Sequence, residues 1–76
     1  MSDREIAGRF TTALDIIIDD GLIRGRKTFC DRYGISRGSL YNAEHVTFRV
    51  SPVWLYYLAV DFGLSSDWLL TGRGLP

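Results

Sequence analysis

Residues 26–45 read RKTFCDRYGISRGSLYNAEH, and this stretch decides the fold. It breaks into two short helical segments, about 26–33 and 36–44, on either side of Gly34 and Ile35. The first segment puts Phe29 and Tyr33 on one side, with the small Cys30 where a neighbouring helix would come closest. Gly34 tolerates the positive φ that a tight turn needs. Ile35 follows as an apolar plug, and Ser36 is a good N-cap for the second segment. Leu40 and Ala43 are that segment's inward anchors. On a helical wheel of roughly 100° per residue with Arg37 at zero, Tyr41 falls at about 40°, His45 at about 80°, Gly38 at about 100° and Asn42 at about 140°. Leu40 and Ala43 fall at about 300° and about 240° on the same count. The polar and aromatic set therefore opposes the anchors.

Working outward, the punctuation predicts three more helices. Ser2 and Glu5 form a capping-box pattern, and behind them Ile6, Phe10, Leu14, Ile17 and Ile18 recur at helical spacing. This helix covers about 3–20 and ends at Gly21 in a left-handed cap. Residues 46–50 read as a loop. Ser51 and Pro52 then give an N-cap followed by proline in the first turn, where its missing N–H is harmless. The helix over 52–62 is apolar or aromatic nearly all round, from Val53 to Val60, which predicts burial on every side or contact with a second copy. Ser65 opens a last helix over 66–71, closed by Gly72. Trp54 and Trp68 are expected in the core. No segment alternates long enough for a strand, and no repeat is present. The chain reads as a single all-α domain, 1–76, compact and five-helical.

Composition narrows the function. A chain of 76 residues buries a modest core and depends on close helix packing or a partner. Its one cysteine, Cys30, has no partner within the chain and reads as a small core residue in a reducing compartment. The N-terminus lacks the order of a signal peptide, and no apolar run would span a membrane, so a cytoplasmic location is expected. No nucleophile–histidine–carboxylate set, metal-spaced cluster or phosphate-cradling glycine motif is present, and the sequence predicts neither an enzyme nor a cofactor, metal or small-molecule ligand. Formal net charge is zero, but it is polarised. Residues 1–23 carry two cations against five carboxylates, whereas residues 24–49 carry six cations against two. A basic middle turns one face toward a polyanion.

Two helices joined by a glycine turn make a helix-turn-helix, whose second helix enters the DNA major groove. The outward residues suit that setting: arginine forks onto guanine, asparagine onto adenine, and a tyrosine ring meets a thymine methyl. Residues 26–44, RKTFCDRYGISRGSLYNAE, resemble the helix-turn-helix of the lambda-repressor-like family, of the Cro and phage-repressor type, and the ending GLSSDWLLTGRG resembles the fifth-helix region that follows such domains. The resemblance covers nearly the whole chain. It implies a domain that binds double-stranded DNA, usually as a homodimer, in a transcriptional regulator of repressor character, bacterial or phage-encoded and associated with the nucleoid. It places base contacts on Arg37, Gly38, Tyr41 and Asn42 and a phosphate contact on Arg26.

Lys27, Ser36, Ser39, His45 and Arg49 complete the expected phosphate-contacting set, with His45 also placed to cap the third helix. Trp54, Tyr57, Leu69 and Leu70 are expected at a dimer interface. The chain departs from the family's pattern at Gly38, where a hydrogen-bonding side chain is frequent, and in its balanced charge. Those departures motivate an alternative: the same fold used as a protein-interaction or antitoxin-like adaptor module through its aromatic fourth helix.

Overall fold

Five helices form where caps and breakers direct them: α1 (Asp3–Asp19), α2 (Arg26–Tyr33), α3 (Arg37–His45), α4 (Pro52–Phe62) and α5 (Ser66–Thr71). The computed structural model describes residues 2–76, so Met1 of the expected domain lies outside it. Helix is the only regular structure among these residues. Ser2 caps α1 by accepting the Glu5 N–H at 3.2 Å. Its hydroxyl donates to the Glu5 carboxylate at 3.1 Å, in place of the backbone N–H that a full capping box would use. At the other end Gly21 takes φ 77°. Its N–H bonds the Ile18 carbonyl while the Leu22 N–H bonds that of Ile17, the paired closure of a Schellman motif. Ser65 caps α5 through the Trp68 N–H. Pro52 starts α4 without help from the Ser51 side chain.

Every helix contributes to one core. Phe10, Ala13, Leu14 and Ile17 of α1 meet Phe29 and Cys30 of α2, Leu40 of α3, Leu55 and Leu58 of α4 and Leu69 of α5. Phe10 sits at the centre, edge-on to Phe29 at 6.1 Å and tilted against Trp54 at 5.9 Å. The radius of gyration is 11.3 Å, close to the roughly 11 Å that the size scaling gives for a domain of this length. Burial pushes the Cys30 thiol pKa up. No helix among the described residues is long and apolar enough to cross a membrane.

Three links beyond the core fix the outer elements. Arg9 of α1 donates from Nε to the Leu69 carbonyl and from Nη2 to that of Leu70, both at 2.9 Å. It thereby satisfies the orphan carbonyls of a helix only six residues long and puts a cation at its negative end. Between α3 and α4, Phe48 takes a positive φ of 54°, and the Arg4 guanidinium lies over its ring at 4.4 Å. Tyr33 of α2 stacks on Tyr57 of α4 at 3.9 Å and donates its hydroxyl to Asp61.

Burial and that hydrogen bond push the Tyr33 pKa from 10.0 to about 12. The neutral phenol is favoured in the folded state, so its contribution to stability is complete below pH 10 and is lost as pH rises through about 12. Thermal melts followed by circular dichroism should show the unfolding midpoint falling more steeply across this alkaline range in the parent than in Tyr33→Phe. Equal slopes would mean that Tyr33 does not couple folding to protons.

The fourth helix departs from the expectation of burial on every side. Only Leu55 and Leu58 are buried, while Val53, Tyr56 and Val60 are exposed. The core is too small to cover all faces of an eleven-residue helix, so α1 and α5 take one side and leave the other bare.

Candidate nucleic-acid interface

The turn that presents α3 is built from three residues. Gly34 closes α2 in the left-handed region at φ 66°, ψ 32°, a conformation that a β-carbon penalises. The Ile35 N–H bonds back to the Cys30 carbonyl at 2.9 Å, and its side chain packs against the core. Ser36 then accepts the Ser39 N–H at 3.0 Å and donates its hydroxyl to Ser39 Oγ at 2.7 Å. The backbone leaves α2, reverses and enters α3 with these groups satisfied.

Behind α3 lies a polar clamp that the sequence reading missed. Glu44 is buried, its side chain 1 % exposed. It accepts from Arg26 Nε at 3.0 Å, from Arg26 Nη2 at 2.9 Å and from the Thr11 hydroxyl at 2.9 Å. Arg26 Nη2 also reaches Asp15 at 3.1 Å. One carboxylate therefore ties α3 to α1 and α2. The hydrogen bond to Glu44 is the main reason the Arg26 pKa is raised, outweighing burial. The wheel carries no signal for this: Glu44 falls at about 340°, between the outward Arg37 and the Leu40 anchor.

This geometry corrects the role expected of Arg26. Its guanidinium is committed to Glu44 and Asp15 and is not a free phosphate contact. Lys27, next to it, is exposed and makes no ion pair among the described residues. Arg49, in the loop, is exposed and stands 3.9 Å from Asp3, a solvated pairing of little strength. Ser36 and Ser39 are exposed at the start of α3.

The outward side of α3 carries Arg37, Gly38, Tyr41, Asn42 and His45, all exposed, while Leu40, Ala43 and Glu44 are buried behind them. Tyr41 is 61 % exposed, and its ring lies against that of His45 at 4.8 Å. His45 is the last residue of α3, in the turn where the helix dipole favours a cation. Arg26, Cys30, Leu40 and Glu44 floor a small cleft of about 110 Å³, with Arg37, Tyr41 and His45 also lining it.

The residues expected at a dimer interface fare differently. Leu69 is fully buried in the core and is corrected to an internal position; Trp54, which packs on Phe10, and Tyr57, which stacks on Tyr33, are half-buried. Leu70 alone is exposed. The residues that do face outward there, Tyr56 at 60 % and Val60 at 59 % exposure, border a groove of about 370 Å³ between α4 and α5. Their spacing did not separate them from Leu55 and Leu58, because nearly every residue of that helix is apolar.

No known protein family, curated protein or solved structure matches this chain.

Proposed function

We propose that this chain is a sequence-specific regulator that binds double-stranded DNA, inserting α3 into the major groove, and that it is not an enzyme. One observation carries the reading: Arg37, Tyr41 and Asn42 share the bare side of a helix whose opposite side is locked by Leu40, Ala43 and Glu44. A helix held from behind and open in front satisfies the geometry of groove entry. Its side chains suit base edges, and Lys27, Arg37 and Arg49 supply positive charge on a chain that is neutral overall. The resemblance to lambda-repressor-like domains supports repressor action on bacterial or phage DNA, at the nucleoid in the cytoplasm. Self-association through Tyr56, Val60 and Leu70 would set two α3 helices on half-sites one helical turn apart, about 34–36 Å.

Selection of bound duplexes from a random library, followed by titration at two salt concentrations, tests the reading. Recovery of a defined site is expected; binding that ignores sequence, or none, overturns it. Within that site, Arg37→Ala should cost about 1–3 kcal/mol at one base position and relax the preference there. Lys27→Ala should weaken all duplexes alike and lower the salt slope by about 1.

The exposed apolar side of α4 favours a second reading, an adaptor that holds a protein partner. Light scattering on the isolated chain separates the two. A monomer that recovers no duplex from the library favours the adaptor, and a dimer that recovers a two-fold site favours the regulator.

A further inference from the structure

His45 is the only histidine of the chain, and it stands on the bare side of α3 with Arg37, Tyr41 and Asn42. Its ring is exposed and lies against that of Tyr41 at 4.8 Å, tilted by 48°. The imidazole is therefore seated among the side chains that face the groove in the reading above. Histidine is the side chain whose ordinary charge change falls between about pH 5 and 8. The face offered to DNA thus carries one group that gains a positive charge close to neutrality.

The charged and titratable groups facing that ring come from two helices. Arg26 of α2 and Arg37 and Glu44 of α3 line the cleft that His45 borders, beside the Cys30 thiol and the Tyr41 phenol. Arg26 and Glu44 are paired at 2.9 Å, and Arg26 also reaches Asp15 of α1 at 3.1 Å. Arg37 is left as the uncompensated charge in that cleft. His45 makes no ion pair among the described residues. A proton arriving on it meets no carboxylate that would neutralise it, and the carbonyl end of α3 accommodates the added charge.

One proton matters here because the chain has little charge to begin with. Formal net charge is zero, and with Arg26 committed to Glu44, the cations offered to the duplex are Lys27, Arg37 and Arg49. Resting on the DNA-binding reading above, we infer that His45 makes operator binding pH-dependent: protonated, it is the fourth cation of the DNA face, and affinity rises as pH falls through the histidine range. Binding then takes up a proton, because phosphate oxygens favour the charged ring over the neutral one. Neutralising one further phosphate releases about one more counterion, which steepens the fall of log affinity with log salt by about 0.9. Carried from about 1 M down to about 0.1 M salt, that increment is about eightfold in affinity.

The test uses the duplex that the parent selects from a random library at neutral pH. It is titrated at about pH 5.5 and about pH 8, across a series of salt concentrations, with the parent, His45→Gln and His45→Lys. At the lower pH the parent is expected to bind about eightfold more tightly in about 0.1 M salt, with a salt slope steeper by about 0.9. His45→Gln is expected to keep the weaker affinity and shallower slope at both pH values, and His45→Lys the tighter affinity and steeper slope at both. Circular dichroism at each pH checks that all three chains keep their helices, as an exposed position at a helix end allows. A parent whose affinity and slope do not change with pH overturns the inference and leaves the DNA-binding reading intact. An equal pH response in His45→Gln also overturns it, since the proton then sits on another group. If the parent selects no duplex, the DNA-binding reading falls and takes this inference with it.

Discussion

Glu44→Ala is expected to lower the unfolding free energy by about 3 kcal/mol, and urea denaturation at constant m-value measures it. Removing one member of a buried pair strands the other. Here the Thr11 hydroxyl and the Arg26 guanidinium lose the carboxylate that holds them at 2.9–3.2 Å, and Arg26 keeps only its Asp15 contact at 3.1 Å. The Arg26 side chain is 33 % exposed, so water recovers part of its solvation and keeps the loss toward the low end of the range for buried pairs. For a domain of this length, total stability is on the order of 4–11 kcal/mol, and the substitution removes a large fraction of it. The paired change Glu44→Leu with Arg26→Met should instead stay within about 1 kcal/mol of the parent, since both charges leave together. A loss below about 1 kcal/mol for Glu44→Ala would show that this clamp orients α3 without stabilising it.

Phe10→Ala is expected to cost about 3–5 kcal/mol, through lost burial and the cavity left behind. Phe10 is fully buried and touches aromatic rings on both sides, Phe29 and Trp54. Those contacts belong to α1, α2 and α4, so the hole opens where three helices meet and no single side chain can swing in to fill it. Phe10→Leu, which keeps most of the volume, should cost less than half as much. Val60→Ser, on the bare side of α4, should change the stability of the isolated chain by no more than about 0.5 kcal/mol. If Phe10→Ala and Val60→Ser proved equally mild, the core would not centre on this ring.

What the sequence made legible was local. Helix ends could be read because each is decided within a single turn: Ser36 against the Ser39 N–H, Gly34 and Gly72 by their left-handed backbone. The two sides of α3 could be read because Leu40 and Ala43 differ in kind from Arg37, Tyr41 and Asn42. The sequence misplaces Arg26 because a charge count does not show pairing, and its partners sit on other helices, Asp15 on α1 and Glu44 on α3. Glu44 is hidden for the same reason, and its wheel position, between the outward Arg37 and the Leu40 anchor, does not mark it as buried. The fourth helix fails differently. With apolar residues on every side, its pattern contains no face, and only the placement of α1 and α5 decides that Leu55 goes in and Tyr56 stays out.

The Arg9 link joins the early part of the chain to its late part, 60 and 61 residues apart. During synthesis α1 emerges well before the groups that complete its packing, since Leu69 and the carbonyls beside it follow only after α2, α3 and α4. Closing so long a loop must precede the contacts that reward it. The part of α1 that meets α5 therefore lacks its partner until Leu69 and Leu70 have been added, although Phe10 already has Phe29 and Trp54 to pack on.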